Sequence, residues 1–161
     1  MRWQVFNPRR QAGLAAVETA IVALVVLIVL FAVFEIGRLF FVANALEEAT
    51  RRGARVAAVC QVNDPAIREI AIFNASGGDG TSPLVAGLTP GNINLEYLAT
   101  DGSVVDPVAN FIDIESVRVS IQNYQHQFLI PMFVRVFNMP PFPTTMPRES
   151  LGVTREGFTT C

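Results

Sequence analysis

Residues 14–34 read LAAVETAIVALVVLIVLFAVF, and this stretch decides the architecture. At about 21 residues it has the length a helix needs to cross a bilayer core. Only a helix satisfies the backbone hydrogen bonds of a single span within lipid, whatever the β-branched content suggests about propensity. The buried core helix of a soluble protein is a poor alternative, because such helices rarely run this long and apolar on every face. Hydrophobic residues make up 51% of the 161-residue chain and charged residues 16%, against about 25% charged in an average soluble domain. The deficit is local, since Glu18 and Thr19 are the only strongly polar residues of the run.

Three features distinguish the run from a plain anchor. A polar leader, MRWQVFNPRRQAG at residues 1–13, precedes it with Arg2, Arg9 and Arg10. Gly13 stands at the polar–apolar boundary. Glu18 lies inside the apolar run, where an ionisable group costs a few kcal/mol unless it is partnered or near the interface. Cleavage after Gly13 would give Leu14 a free ammonium at the membrane edge, with Glu18 as the fifth residue of the new chain. That carboxylate is one turn deeper on roughly the same face. A neighbouring subunit's ammonium can pair with it, which offsets desolvation and sets the axial stagger of parallel helices. Ala16, Ala20 and Ala23 supply the small residues that let such helices approach closely. Ala43-Asn44-Ala45 has the form of a signal-peptidase site, but the apolar run exceeds the about 7–15 residues of a secretory h-region. Glu35 and Arg38 also separate that site from the run. Charge bias leaves orientation nearly tied, with Arg2, Arg9 and Arg10 on one side and Arg38, Arg51 and Arg52 on the other. The leader chemistry places the N-terminus in the cytoplasm and the following domain outside.

The sequence continues past Phe34 as EIGRLFFVANALEEATRRGARVAAVC, residues 35–60, without a proline. Leu39, Val42, Leu46, Ala49, Gly53 and Ala57 recur at three- and four-residue steps, so an amphipathic stripe continues the helix. Glu47–Arg51 and Glu48–Arg52 are acid-first pairs on its outer face. A helix over residues 14–59 is about 69 Å long. Balanced acids argue against a nucleic-acid-binding arginine cluster, and the net charge of −2 gives no field to recruit one.

Residues 9–59 resemble the TadE-like family, minor pilins or pseudopilins of tight-adherence (Flp-type) pilus systems. The resemblance rests on Arg9-Arg10, Gly13, Ala16-Val17-Glu18 and Glu35-Ile36-Gly37-Arg38, then Asn44-Ala45-Leu46 and Arg52-Gly53-Ala54-Arg55. Thr19 stands where the family commonly has an aromatic residue. The resemblance implies cleavage after Gly13 by a prepilin peptidase and single-pass retention in the bacterial inner membrane. As partners it implies the major pilin, other minor pilins, an inner-membrane assembly platform and the lipid bilayer. It also implies a long N-terminal helix with a small periplasmic α/β domain.

Residues 61–161 carry the signals of that domain. Asp64 and Pro65 suit the cap and first position of a short helix ending near Ala75. Residues 76–80, Ser-Gly-Gly-Asp-Gly, lack the lysine of a phosphate loop and the acids of a calcium loop, and read as a connection. Ile93, Leu95 and Tyr97 alternate with polar residues as a strand, and Asp101-Gly102 is a hairpin signal. Residues 115–123 give the clearest strand, with Val117, Val119 and Ile121 on one face. Residues 124–130 continue it or form the next strand, and residues 132–137 read as a buried turn of helix or a short strand. Five prolines between 131 and 147 break the chain into short segments, and a last strand is expected near 151–154. Together these predict an α+β fold, a three- or four-stranded antiparallel sheet packed on the outer half of the helix. Met132, Phe133, Phe137, Met139 and Phe142 read as domain core, with a subunit-docking surface as the alternative. Cys60 and Cys161 show no metal-ligand spacing; a disulfide between them and two unrelated thiols both stay open.

Catalysis finds little support. His126 is the single histidine, on an expected strand, where an exposed or hydrogen-bonded imidazole is the default. No serine sits in a nucleophile elbow, and Asp106, Asp113 and Glu115 read as solvated loop acids. No enzyme activity, cofactor, metal or nucleic acid is therefore expected. The expected organisation is a leader at 1–13, a transmembrane helix at 14–34, an extracytoplasmic continuation at 35–60 and a small domain at 61–161. A structural pilus subunit fits this best, and a membrane-tethered adhesin-like or sensory module outside any fibre is the alternative.

Overall fold

A computed structural model describes residues 11–75, 77–129, 136–159 and 161. Arg9 and Arg10 of the leader, Ser76, Ile130, Met132, Phe133 and the rest of 130–135 lie outside the described residues.

Helix α1 spans Gln11–Val59, 49 residues, a rod of about 73 Å. From Gly13 to Phe31 every residue is exposed, so the apolar half touches nothing else in the described chain. Burial begins at Glu35, and beyond it the expected stripe is the buried one: Val42, Leu46, Ala49, Gly53 and Ala57 all face the domain. Ala45, Thr50, Ala54 and Ala58 widen the stripe, as a helix lying in a concave surface requires.

That surface is a three-stranded antiparallel sheet with helix α2 beside it. Strands β1 (Ile93–Leu98), β2 (Ser116–Ile121) and β5 (Thr144–Pro147) lie in the order β1-β2-β5. The register sets Tyr97 opposite Val117 and Leu95 opposite Val119, and Val117 opposite Met146. Val117, Val119 and Ile121 point inward as alternation predicts, onto Leu46, Ala49 and Ala57 of the helix stripe. Strands β3 (Gln125–Gln127) and β4 (Val136–Asn138) form a separate pair, and β6 (Val153–Thr154) with β7 (Gly157–Phe158) form a third.

The α+β architecture is as the sequence predicts, and the differences lie in the connections. Helix α2 covers Pro65–Ala71 with Asp64 as its cap, accepting from the Ala66 amide at 2.9 Å. It stops short of Ala75 because Phe73 turns to φ 67° and the Asn74 side chain reaches forward to Asp79 and to the Thr81 carbonyl instead. Asp101-Gly102 does close a turn, but with one bridge between Leu98 and Val104 rather than the β1–β2 hairpin. Asn123, at φ 56°, ends β2 and separates it from β3. The third strand of the sheet is β5, inside the proline-rich stretch. An edge position and terminal Pro147 reconcile it with proline, which has no amide to donate. Residues 153–154 form a strand outside the main sheet. Met139 and Phe142 pack on the core, whereas Phe137 is exposed on β4.

The far end of α1 is closed by a distant segment. Helices leave their last carbonyls without intrahelical partners. Here the Glu149 and Leu151 amides donate to the Ala58 carbonyl at 3.0 and 3.2 Å, and the Gly152 amide donates to the Val59 carbonyl at 2.7 Å. Gly152 has φ 78°, and a Cβ there would meet the Gln61 amide nitrogen at 2.6 Å, so glycine is required. Beside this closure Cys60 and Cys161 are joined by a disulfide, Cα–Cα 5.7 Å. The Cys161 amide donates to the Asp64 carboxylate at 2.9 Å.

Candidate functional site

Two parts of α1 carry the residues that the sequence singles out. The first is its entry into the apolar half. Gly13, Leu14, Ala16, Glu18, Ala20 and Ala23 are all exposed on the helix. A Cβ at Gly13 would meet nothing within 4 Å, so the fold itself gives no steric reason for glycine there. Thr19 donates its hydroxyl to the Ala15 carbonyl at 2.8 Å, which satisfies one polar group inside the helix. Glu18 lies four residues beyond Leu14, a rise of about 6 Å. Such a surface needs lipid, neighbouring helices or both.

The second part lies where the helix meets the domain. Glu35 is 3% exposed, and the Arg38 guanidinium donates to it from the next turn. Arg38 also donates to the Gln127 carbonyl of β3. His126, 1% exposed, sets its Nε2 3.6 Å from the same Glu35 oxygen. That nitrogen is buried and has no hydrogen-bond partner among the described residues. Burial first, and then the neighbouring positive charge of Arg38, hold His126 below its ordinary value of 6.5. The imidazole is therefore neutral at pH 7, packed edge-on to Phe128 with centroids 5.4 Å apart. The arrangement is a tether rather than a reactive centre. It pins β3 to the helix at one level, with Arg38 bridging Glu35 and the Gln127 carbonyl.

The remaining motif residues divide by face. Gly53 is buried, and a Cβ there would lie 2.9 Å from the Ala71 Cβ of α2 and 3.2 Å from Val119 of β2. It is the contact that lets α1 settle between helix and sheet. Gly37, Asn44, Arg52 and Arg55 are exposed, with Arg52 lying over the Phe73 ring at 5.8 Å. Glu47 pairs with Arg51 as its spacing predicts, whereas Glu48 and Arg52 form no ion pair with each other, Arg52 lying on Phe73 instead. Asp106 caps its own turn, accepting from the Val108 amide at 2.8 Å. Among the described residues no group of three or more acids, histidines or cysteines could hold a metal.

A helix apolar and exposed for half its length, long and apolar enough to cross a membrane and then embedded in a small antiparallel domain, is consistent with a single-pass membrane anchor. The TadE-like protein family model matches residues 13–55, which is the family expected from the sequence and covers the helix rather than the domain after it. The matched stretch is 43 of the 161 residues and lies wholly within α1, so the likeness is one of the helix. Neither the search of curated proteins nor the search of solved structures returned a match.

Proposed function

We propose that this chain is a minor pilin or pseudopilin, made with a leader at 1–13 and cleaved after Gly13, that takes part in starting or assembling a tight-adherence pilus. Residues 14–34 lie in the inner membrane, and the domain from 35 onward stands outside the cytoplasm. The observation that carries this reading is the bare apolar half of α1, with one carboxylate, Glu18, a single turn from Leu14. A helix serving only as an anchor gains nothing from a carboxylate at that depth. A helix that packs beside others gains a polar partner for each new ammonium and a fixed stagger. The partners are accordingly the prepilin peptidase, the major pilin, sister minor pilins and the assembly platform.

The mature N-terminus tests the proposal. Mass spectrometry of the membrane-extracted chain is expected to find Leu14 first, and Gly13→Ala is expected to retain the leader. A chain that begins at Met1, or unchanged processing of Gly13→Ala, sinks the pilin reading and leaves a tethered binding module. Glu18→Ala is expected to insert normally and to reduce pilus number; normal pilus number rejects the ammonium–carboxylate pairing.

A further inference from the structure

The exposed apolar surface of α1 does not end at Phe34. Ile36, Phe40 and Phe41 continue it at 52, 65 and 53% exposure, although Glu35 and Arg38 lie between them in sequence. Those two charged groups turn toward the domain and neutralise each other there, so the outward side of the helix stays apolar to Phe41. From Leu14 to Phe41 the rise is about 40 Å. A hydrocarbon core is about 30 Å thick and a whole bilayer with its interfaces about 40–45 Å. Phe40 and Phe41 thus fall at the depth where aromatic rings collect at a membrane surface.

The domain reaches the same depth. Arg38 holds the Gln127 carbonyl and Glu35 lies beside His126, which levels β3 and β4 with residues 35–41 of the helix. A groove of about 530 Å³ brings Phe41 together with Leu84 and Leu129. Leu129 is 68% exposed, Leu84 47% and Val136 of β4 51%. The outward neighbours on β3 are Gln125 and Gln127, a mixture of amide and apolar groups that suits the headgroup–acyl boundary better than either water or hydrocarbon.

We propose that the β3–β4 pair and Leu84 form a membrane-seating surface, so that the domain rests on the bilayer through lipid contact as well as hanging from α1. The occupant is the lipid leaflet on the domain's side, because the surface is continuous with the apolar surface of the span. The proposal rests on the reading of residues 14–34 as a membrane span. The Glu35–Arg38–His126 cluster then has a defined task, since it holds the seating surface at the level of the helix where the bilayer ends.

The test uses the full chain in phosphatidylethanolamine–phosphatidylglycerol vesicles, with spin labels at Leu129→Cys, Val136→Cys, Leu27→Cys and Ile112→Cys, and the Cys60–Cys161 bond kept oxidised. These side chains are all exposed, so the labels leave the core intact. Ile112 is the aqueous reference. It adjoins Phe111, which stacks on Phe158 near the closed end of α1, about 30 Å along the helix from Arg38. Labels at Leu129 and Val136 are expected to show an oxygen-to-nickel-chelate accessibility ratio several-fold above that at Ile112 and below that at Leu27. A ratio equal to that at Ile112, with Leu27 in lipid, overturns the seating while the span stands. Low access to both quenchers, with spin–spin broadening that vanishes on dilution with unlabelled chain, overturns it in favour of a contact between copies. An aqueous Leu27 overturns the span and the seating together.

Discussion

The two halves of α1 are continuous in backbone and opposite in what stabilises them. Residues 14–34 are exposed apart from half-buried Ala32, and on the proposed membrane reading their helix depends on a solvent that cannot hydrogen-bond to backbone. Residues 35–59 bury a stripe of small and branched residues against a sheet and a second helix, and owe their position to packing. One helix therefore carries two kinds of sequence constraint: composition in the first half, position-by-position fit in the second.

Substitutions of equal chemistry in the two halves should separate them. Leu46 is fully buried, and Leu46→Ala is expected to cost the domain about 2–5 kcal/mol, measured by urea unfolding in detergent micelles. Leu27→Ala is expected to leave the same transition in place. A shift of similar size for both would mean that the halves unfold as one unit. Glycines sharpen the contrast at a lower magnitude. Gly53→Ala pushes a methyl into Ala71 and Val119 and is expected to lose about 1–3 kcal/mol, outweighing the gain in helix propensity. At Gly37 a Cβ meets nothing within 4 Å, so Gly37→Ala is expected to be neutral or to gain up to about 1 kcal/mol. The smallest effect concerns the junction. His126 is depressed in the folded chain, so the unfolded chain binds its proton more readily. The stability it contributes is therefore complete above the ordinary value of 6.5 and is lost as pH falls below it. The urea midpoint should decline as pH drops from 7 toward 5, and His126→Gln should flatten that decline. An equally steep decline in His126→Gln places the titrating group elsewhere.

The same contrast explains what the sequence made legible. The helix of the first half of α1 and its exposed apolar surface could be read from length and hydropathy, because composition alone specifies them. The stripe from Val42 to Ala57 could be read from its period, and β1 and β2 from their alternation. Strand β5 was hidden because Pro143 and Pro147 bracket only Thr-Thr-Met, and its pairing depends on the edge that β2 offers. The junction was hidden for another reason. Glu35 and Arg38 are visible as a motif, but His126 joins them from about 90 residues away, and no local pattern marks an inward histidine as the partner of a particular carboxylate. Gln125-His126-Gln127 does alternate, and that alternation was the signal available: an inward histidine on a strand near a helix needs a polar neighbour. The closure of α1 by residues 149–152 was equally out of reach, being a set of backbone bonds with no side-chain signature beyond Gly152.

That closure also sets an order in time. The carbonyls of Ala58 and Val59 wait for amides about 91 residues further along, and the Cys60 thiol waits 101 residues for Cys161. Contacts of such separation are slow, because loop entropy is spent before any of them forms. As the chain folds, the helix is expected to form early, while its far end stays frayed until residues 149–152 reach it. For that interval the apolar stripe from Val42 to Ala57 is uncovered, and oxidation of the thiols comes only after the tail has found the helix. The slow step in making this protein is thus expected to be the return of its last residues to the middle of the chain, so that refolding rate reports on residues 149–161 rather than on α1.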